Sequence, residues 1–218
     1  MQVASYIDHT ILKPTTSAAE VKKLCSEALE YGFAAVCVPP PFVRTSKAAV
    51  KGSTVKVATV AGFPFGYSTA PAKLAEIRQA IADGADEIDV VINLTALKSG
   101  SWSYLDSEIE LLIEPIHRHN KLIKVIIESG ILSDTEIIRC CELYGNAGAD
   151  FVKTSTGYAE KGATLEAVQL IRAHLPSIIR IKASGGIKTY AFANQLIQAG
   201  ADRLGCSASV AIVKQSNE

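Results

Sequence analysis

Apolar residues recur with helical spacing at Val21, Leu24, Cys25, Ala28 and Leu29, and again at Leu105, Ile109, Leu112, Ile113 and Ile116. A stripe at i, i+3, i+4, i+7 is what an amphipathic helix lays against a core. Ser17-x-x-Glu20 and Ser133-x-x-Glu136 mark helix starts, because hydroxyl and carboxylate reciprocally satisfy orphan backbone donors. Four junctions repeat along the chain: Tyr31-Gly32-Phe33 before AAVCV, then GADEIDV from Gly84, GADFVKT from Gly148 and GADRLGC from Gly200. In each, Gly closes a helical pattern and a β-branched run follows, as in a short helix-to-strand loop. Successive glycines lie 52, 64 and 52 residues apart, which fits two βα units between marks.

Strands are expected near residues 5–10, 33–38, 56–60, 87–92, 122–128, 150–154, 178–182 and 202–205, with helices between them. Eight strands in 218 residues predict an α/β fold, a compact (β/α)8 TIM barrel, as a single domain over residues 1–218. No Pro/Ser/Gly-rich linker divides the chain. The alternative is an open doubly wound sheet, but the first strand-helix turn has no G-x-G-x-x-G.

Alternate residues of a barrel strand face the helices and the lumen, so the two faces can be read separately. On the fourth strand Ile88, Val90 and Ile92 face outward, leaving Asp89, Val91 and Asn93 inside. The fifth sends Ile123, Val125 and Ile127 out and Lys124, Ile126 and Glu128 in. The sixth points Phe151 and Lys153 inward, and the seventh Arg180 and Lys182, with Ile179 and Ile181 outside. The lumen is therefore expected to be ionic. A structural ion network accounts for Lys124, Glu128 and Arg180. It accounts less well for Lys153 and Lys182, which fall at the C-terminal ends of adjacent strands, where barrel enzymes keep their chemistry. Two ammonium groups about 7 Å apart at an effective dielectric near 20 repel by about 2.4 kcal/mol, and desolvation pushes the same way. One lysine is thus expected to be neutral near pH 7, the form that adds to a carbonyl, with Asp89 placed to move protons.

Composition narrows the setting. A chain that is 48% hydrophobic buries roughly 70% of its unfolded surface. Lys plus Arg number 22 and Asp plus Glu 22, giving no field to draw in nucleic acid or an anionic membrane. No run of about 18 apolar residues suggests a membrane span, and MQVASYIDHT lacks the features of a signal peptide. Five cysteines, with Cys140 and Cys141 adjacent and no CxxC, suit a reducing cytoplasm.

Three Gly/Ser-rich turns follow consecutive strands: Thr154-Ser155-Thr156-Gly157, Ala183-Ser184-Gly185-Gly186, and Gly205-Cys206-Ser207-Ala208-Ser209. The last two occupy the usual phosphate site of barrels. With IDHT (7–10), EIDVVIN (87–93), KVIIESG (124–130), GADFVKTSTG (148–157), KASGGI (182–187) and RLGCSAS (203–209) in order, the chain resembles deoxyribose-phosphate aldolase from about Tyr6 to Val213. The resemblance implies a metal-free class I aldolase needing no cofactor, acting on a phosphosugar and aldehydes. It implies Lys153 as the Schiff-base nucleophile, Lys182 as the partner that lowers its pKa, and Asp89 as general acid/base. It also implies Gly157, Gly185, Gly186, Gly205 and Ser207 in phosphate loops, with Thr156 beside them and Asp8 and Thr10 as N-terminal site residues.

Three positions depart from the family pattern. Longer members bring a C-terminal Tyr to the site, whereas this sequence reads Lys214-Gln215-Ser216-Asn217-Glu218. Lys13 stands where some members have Asn, and Tyr158 where some have Lys. Four histidines make no metal site, since His117 and His119 are i, i+2 on a helix and His174 ends another; His9 reads as packed or hydrogen-bonded. Cys37 points inward, and both it and Cys206 read as small core residues. No nucleophile elbow supports acyl transfer. The rival readings are a transaldolase-like transferase, a metal-free isomerase and a non-catalytic phosphosugar binder; a homodimer through a helix face is compatible with the pattern.

Overall fold

The computed structural model describes residues 3–216, and its eight parallel strands close into a barrel in sequence order. The strands are β1 (Ile7–Thr10), β2 (Ala35–Cys37), β3 (Lys56–Ala61), β4 (Glu87–Val91), β5 (Leu122–Ile126), β6 (Phe151–Lys153), β7 (Arg180–Ser184) and β8 (Arg203–Cys206). Around them run α1 (Ala18–Tyr31), α2 (Val43–Ala49), α3 (Ala70–Ala82), α4 (Leu94–Lys98), α5 (Trp102–Arg118), α6 (Asp134–Asn146), α7 (Leu165–His174), α8 (Tyr190–Gln198) and α9 (Ser209–Gln215). Two helices, not one, fill the crossover from β4 to β5.

Both capping boxes form, with Ser17 and Ser133 accepting from the backbone of Glu20 and Glu136. On α1, Val21, Leu24, Cys25 and Ala28 are buried, but Leu29, at the edge of the expected stripe, is largely exposed. The junction glycines end their helices with positive φ, 68° at Gly32 and 99° at Gly84, where a Cβ would strain the turn. The aspartates of the GAD triplets have a separate task. Asp86 accepts the Val57 N–H at 3.0 Å, Asp150 that of Ile123 at 2.9 Å and Asp202 that of Ile181 at 2.8 Å. Each carboxylate pins its own strand to the preceding one at the N-terminal end of the barrel.

Several strand limits differ from expectation for local reasons. Residues 3–6 form a 3-10 turn, so β1 begins only at Ile7. Strand β5 stops at Ile126 because Glu128 adopts φ 56°, outside any extended conformation. Strand β7 is displaced toward its C-terminus, with Ala183 and Ser184 paired to Leu204 and Gly205, while Ile178 is 86% exposed. The in/out parity survives these shifts. Ile88, Val90, Ile92, Ile123, Val125, Ile127 and Ile181 join the core between sheet and helices. Cys37, Ala58 and Val60 form a separate apolar cluster with Leu12 and Phe63 on the lumen side of β2 and β3. Charged residues on β1, β4, β5, β6, β7 and β8 share the rest of the lumen with Val91, Ile126 and Phe151.

Candidate active site

Asp89 is the hub of the lumen. Its Oδ2 accepts from Lys153 Nζ and Lys182 Nζ, each at 2.7 Å, and its Oδ1 from Lys124 Nζ at 2.7 Å. Strand register explains the convergence, since Asp89 pairs with Lys124 across β4–β5 and Lys153 with Lys182 across β6–β7. Lys124 also meets Glu87 at 2.6 Å; Lys182 donates to Asp8 at 2.5 Å. Arg203 closes the array with bonds of 2.6 Å to Asp8 and 3.2 Å to Glu87. Four cations (Lys124, Lys153, Lys182, Arg203) thus face three carboxylates (Asp8, Glu87, Asp89). The charges balance when one lysine is neutral.

The environment selects which one. Burial lowers the Lys153 pKa; Asp89 opposes that shift and the Lys182 charge adds to it, leaving the amine below its ordinary value. Lys182 is buried as deeply, but Asp8 and Asp89 outweigh desolvation and hold it charged, well above its ordinary value. Burial raises Asp89, yet Lys124, Lys153 and Lys182 overcome this and keep it ionised far below the usual carboxylate range. The two lysines are closer than the 7 Å that strand spacing suggested, because both touch one oxygen. Desolvation nevertheless comes first in lowering Lys153, with lysine repulsion a smaller contribution.

A cavity of about 690 Å³ opens at the C-terminal end of the barrel. Lys153 borders it, together with Thr10, Thr156, Gly157, Gly185, Gly186, Gly205 and Ser207. Asp89, Lys182 and Asp8 do not: they are fully buried, and Asp89 and Lys182 act on the Lys153 amine from inside the lumen. The place of Asp8 is in the ion array rather than on the wall. Gly205 is required by this layering, since a Cβ there would sit 2.9 Å from Ser184 Cβ and 3.2 Å from Lys182 Cε. Gly185 and Gly186 take φ 87° and 79°, a left-handed pair that turns backbone toward the opening.

Thr156 reaches the cavity wall, but its N–H and hydroxyl both donate to Glu128 and are spent there. Among the described residues neither Glu128 nor Arg180 makes an ion pair with the array, although the Lys153 charge is felt at Glu128. Arg180 stacks on the Phe151 ring at 4.0 Å. Glu87, Arg203 and the bond from Lys124 to Asp89 were not identified from sequence; extending the in/out parity two residues back along β4, and along β8, would have found the first two. Tyr158, a departure from the family pattern, donates its hydroxyl to the Leu12 carbonyl at 2.8 Å, and its ring meets Phe63 edge-on at 5.4 Å. It ties the β1, β3 and β6 loops across one side of the mouth. Lys13 also borders the cavity, with its side chain exposed. His9 is buried between Ser209 Oγ at 2.9 Å and Glu27 at 2.8 Å. Cys37 faces the lumen with its thiol pushed up by burial, whereas Cys206 packs outward in the helix-side core.

A family model described as DeoC/LacD family aldolase matches residues 2–212. The deoxyribose-phosphate aldolase of Caldicellulosiruptor saccharolyticus is 49% identical over 215 residues, covering 98% of both chains. That of Thermococcus gammatolerans is 48% identical over 216 residues, covering 98% of this chain and 96% of the other. Among solved structures, the tetrameric deoxyribose phosphate aldolase of Aeropyrum pernix superposes with a TM-score of 0.92 at 30% identity, over 99% of this chain and 91% of that one. QR15, described as an aldolase, gives 0.93 at 39% identity, over 99% and 96%. No described helix is long and apolar enough to cross a membrane.

Proposed function

The chain belongs to the DeoC/LacD family of aldolases, and from that premise we propose that Lys153 forms an imine with 2-deoxy-D-ribose 5-phosphate and cleaves it reversibly to D-glyceraldehyde 3-phosphate and acetaldehyde. The observation that carries this reading is the placement of Lys153. It is the member of the buried array that borders the cavity and the lysine there whose ammonium form is disfavoured.

The neutral Lys153 amine attacks the C1 aldehyde of the open-chain sugar, and uptake of one proton with loss of water gives the protonated imine. The C3 hydroxyl then gives up its proton, the C2–C3 bond breaks, and its electron pair moves into the imine to form an enamine. Glyceraldehyde 3-phosphate leaves with C3 as its aldehyde carbon. Protonation at C2 and hydrolysis return acetaldehyde and free Lys153. The iminium is the electron sink, and its positive charge forms beside Asp89, whose carboxylate is already oriented by Lys124 and Lys182. Asp89 exchanges protons with the reacting atoms through a bound water, since it is fully buried and does not border the cavity. Gly157, Gly185, Gly186, Gly205 and Ser207, which line the same cavity, form a cradle for the phosphate.

Sodium borohydride added with deoxyribose 5-phosphate is expected to trap a secondary amine on Lys153, located by peptide mass spectrometry. An adduct on Lys182, or none on any lysine during turnover, would overturn the assignment.

A further inference from the structure

Glu128 stands apart from the array. It is 3% exposed, yet among the described residues its carboxylate has no Lys or Arg nitrogen within ion-pairing distance. Its backbone sits at φ 56° and ψ 57°, where a side chain crowds the neighbouring carbonyl. The other non-glycine described residue with positive φ is Asn120, a type that enters this region readily. Strained backbone at a buried residue persists only where its surroundings hold it, and such positions gather at functional sites.

The strain aims the carboxylate at one target. Its oxygens accept the Thr156 N–H at 3.2 and 3.3 Å and the Thr156 hydroxyl in a short bond. Thr156 Oγ1 in turn accepts the Tyr158 N–H at 3.0 Å. The flanking backbone is tied to the same turn, Ile127 N–H donating to the Lys153 carbonyl at 3.0 Å and Ser129 N–H to that of Thr154 at 2.7 Å. Gly157, at φ 87°, then approaches Gly185 across the cavity wall. Glu128 itself does not border the cavity, where its charge would oppose an anion.

We propose that Glu128 is a positioning residue for the aldol reaction: through Thr156 it fixes the turn between Lys153 and Gly157, so that nucleophile and phosphate cradle keep one separation. This rests on the aldolase reading above. Glu128→Gly accepts φ 56° without a Cβ, so it removes the carboxylate with little risk to the fold, and Glu128→Gln keeps an acceptor for the Thr156 N–H. The KM for deoxyribose 5-phosphate is expected to rise roughly tenfold in Glu128→Gly, with kcat reduced less than about threefold and most of the loss recovered in Glu128→Gln. Unphosphorylated 2-deoxyribose, which has no use for the cradle, is expected to keep its kcat/KM within about twofold. Backbone amide exchange at residues 155–158, followed by mass spectrometry, is expected to accelerate in Glu128→Gly ahead of the strands. Equal losses on both sugars, or unchanged exchange in that turn, would overturn the proposal. Exchange is read without turnover, so a wild-type protein that fails to cleave the phosphosugar would count against the aldolase reading alone.

Discussion

Two buried lysines on opposite sides of the barrel wall show why a low pKa does not by itself reveal a nucleophile. Outside the sheet, Lys73 of α3 is fully buried, donating to Glu108 at 2.9 Å and to the Val91 carbonyl at 2.7 Å. Glu108 also accepts the Asn93 N–H at 3.1 Å, so the pair fastens α3 and α5 to the end of β4. Burial lowers Lys73 against the pull of Glu108, just as it lowers Lys153 against Asp89. The difference lies in stoichiometry and access. Lys73 has its own carboxylate and is sealed from solvent; Lys153 shares Asp89 with two other lysines and forms part of a cavity wall. A sealed pair whose carboxylates match its charge is a fastening, whereas a surplus cation at an opening is a group that can lose its proton.

Substituting each lysine in turn would break this comparison if it is wrong. Lys153→Met is expected to lower kcat/KM for deoxyribose 5-phosphate by at least about 10⁴-fold in a steady-state assay, because the covalent route is lost. Lys73→Met is expected to cost about 3–5 kcal/mol in urea unfolding by leaving Glu108 buried alone, while the folded enzyme keeps turnover within about threefold; adding Glu108→Leu recovers most of the stability. The sign of both effects must reverse between the sites: activity without stability at one, stability without activity at the other.

A smaller effect sharpens the account of the shared carboxylate. In the wild type, the reactive neutral fraction of Lys153 falls as pH drops below its lowered pKa, so kcat/KM declines on the acidic side. Lys182→Leu removes a neighbouring cation and leaves Asp89 less compensated, and both changes favour the Lys153 ammonium. The acidic limb of the profile is expected to move up by about one pH unit. An unshifted limb in an active variant would remove Lys182 from this role. Smallest of all, Tyr158→Phe deletes the bond to the Leu12 carbonyl but keeps the ring on Phe63, and a KM change of no more than about threefold is expected.

The ionic half of the lumen was legible because strand parity has a period of two: once Ile88 and Val90 were placed against helices, Asp89 had to point inward. Parity assigns a face but not a partner. That Lys124 would complete a third bond to Asp89 follows from β4–β5 register and the barrel's stagger, neither of which is written in one strand's sequence. Glu128 was misread for a related reason. Its place in an apolar run suggested continued strand, and only the backbone reveals that the residue turns out of the ladder. Asp8 lies on β1 and Thr156 in the turn after β6, and their hydrogen bonds direct them to Lys182 and Glu128 rather than to the cavity.

The aspartates of the GAD triplets, finally, make the seams of the barrel unequal. Side-chain bonds reinforce β3–β4, β5–β6 and β7–β8, and for Asp86 and Asp202 the same residue also returns its own N–H to the preceding strand, at 2.8 Å in both cases. In mechanical terms the aspartates are rivets on the floor of the barrel, set at the rim opposite the cavity. Lys153 and Lys182 face each other across β6–β7, a seam stitched instead at the cavity end, where the Thr154 hydroxyl accepts the Ser184 N–H at 3.1 Å and the Ser184 hydroxyl donates to the Ser155 carbonyl at 2.6 Å.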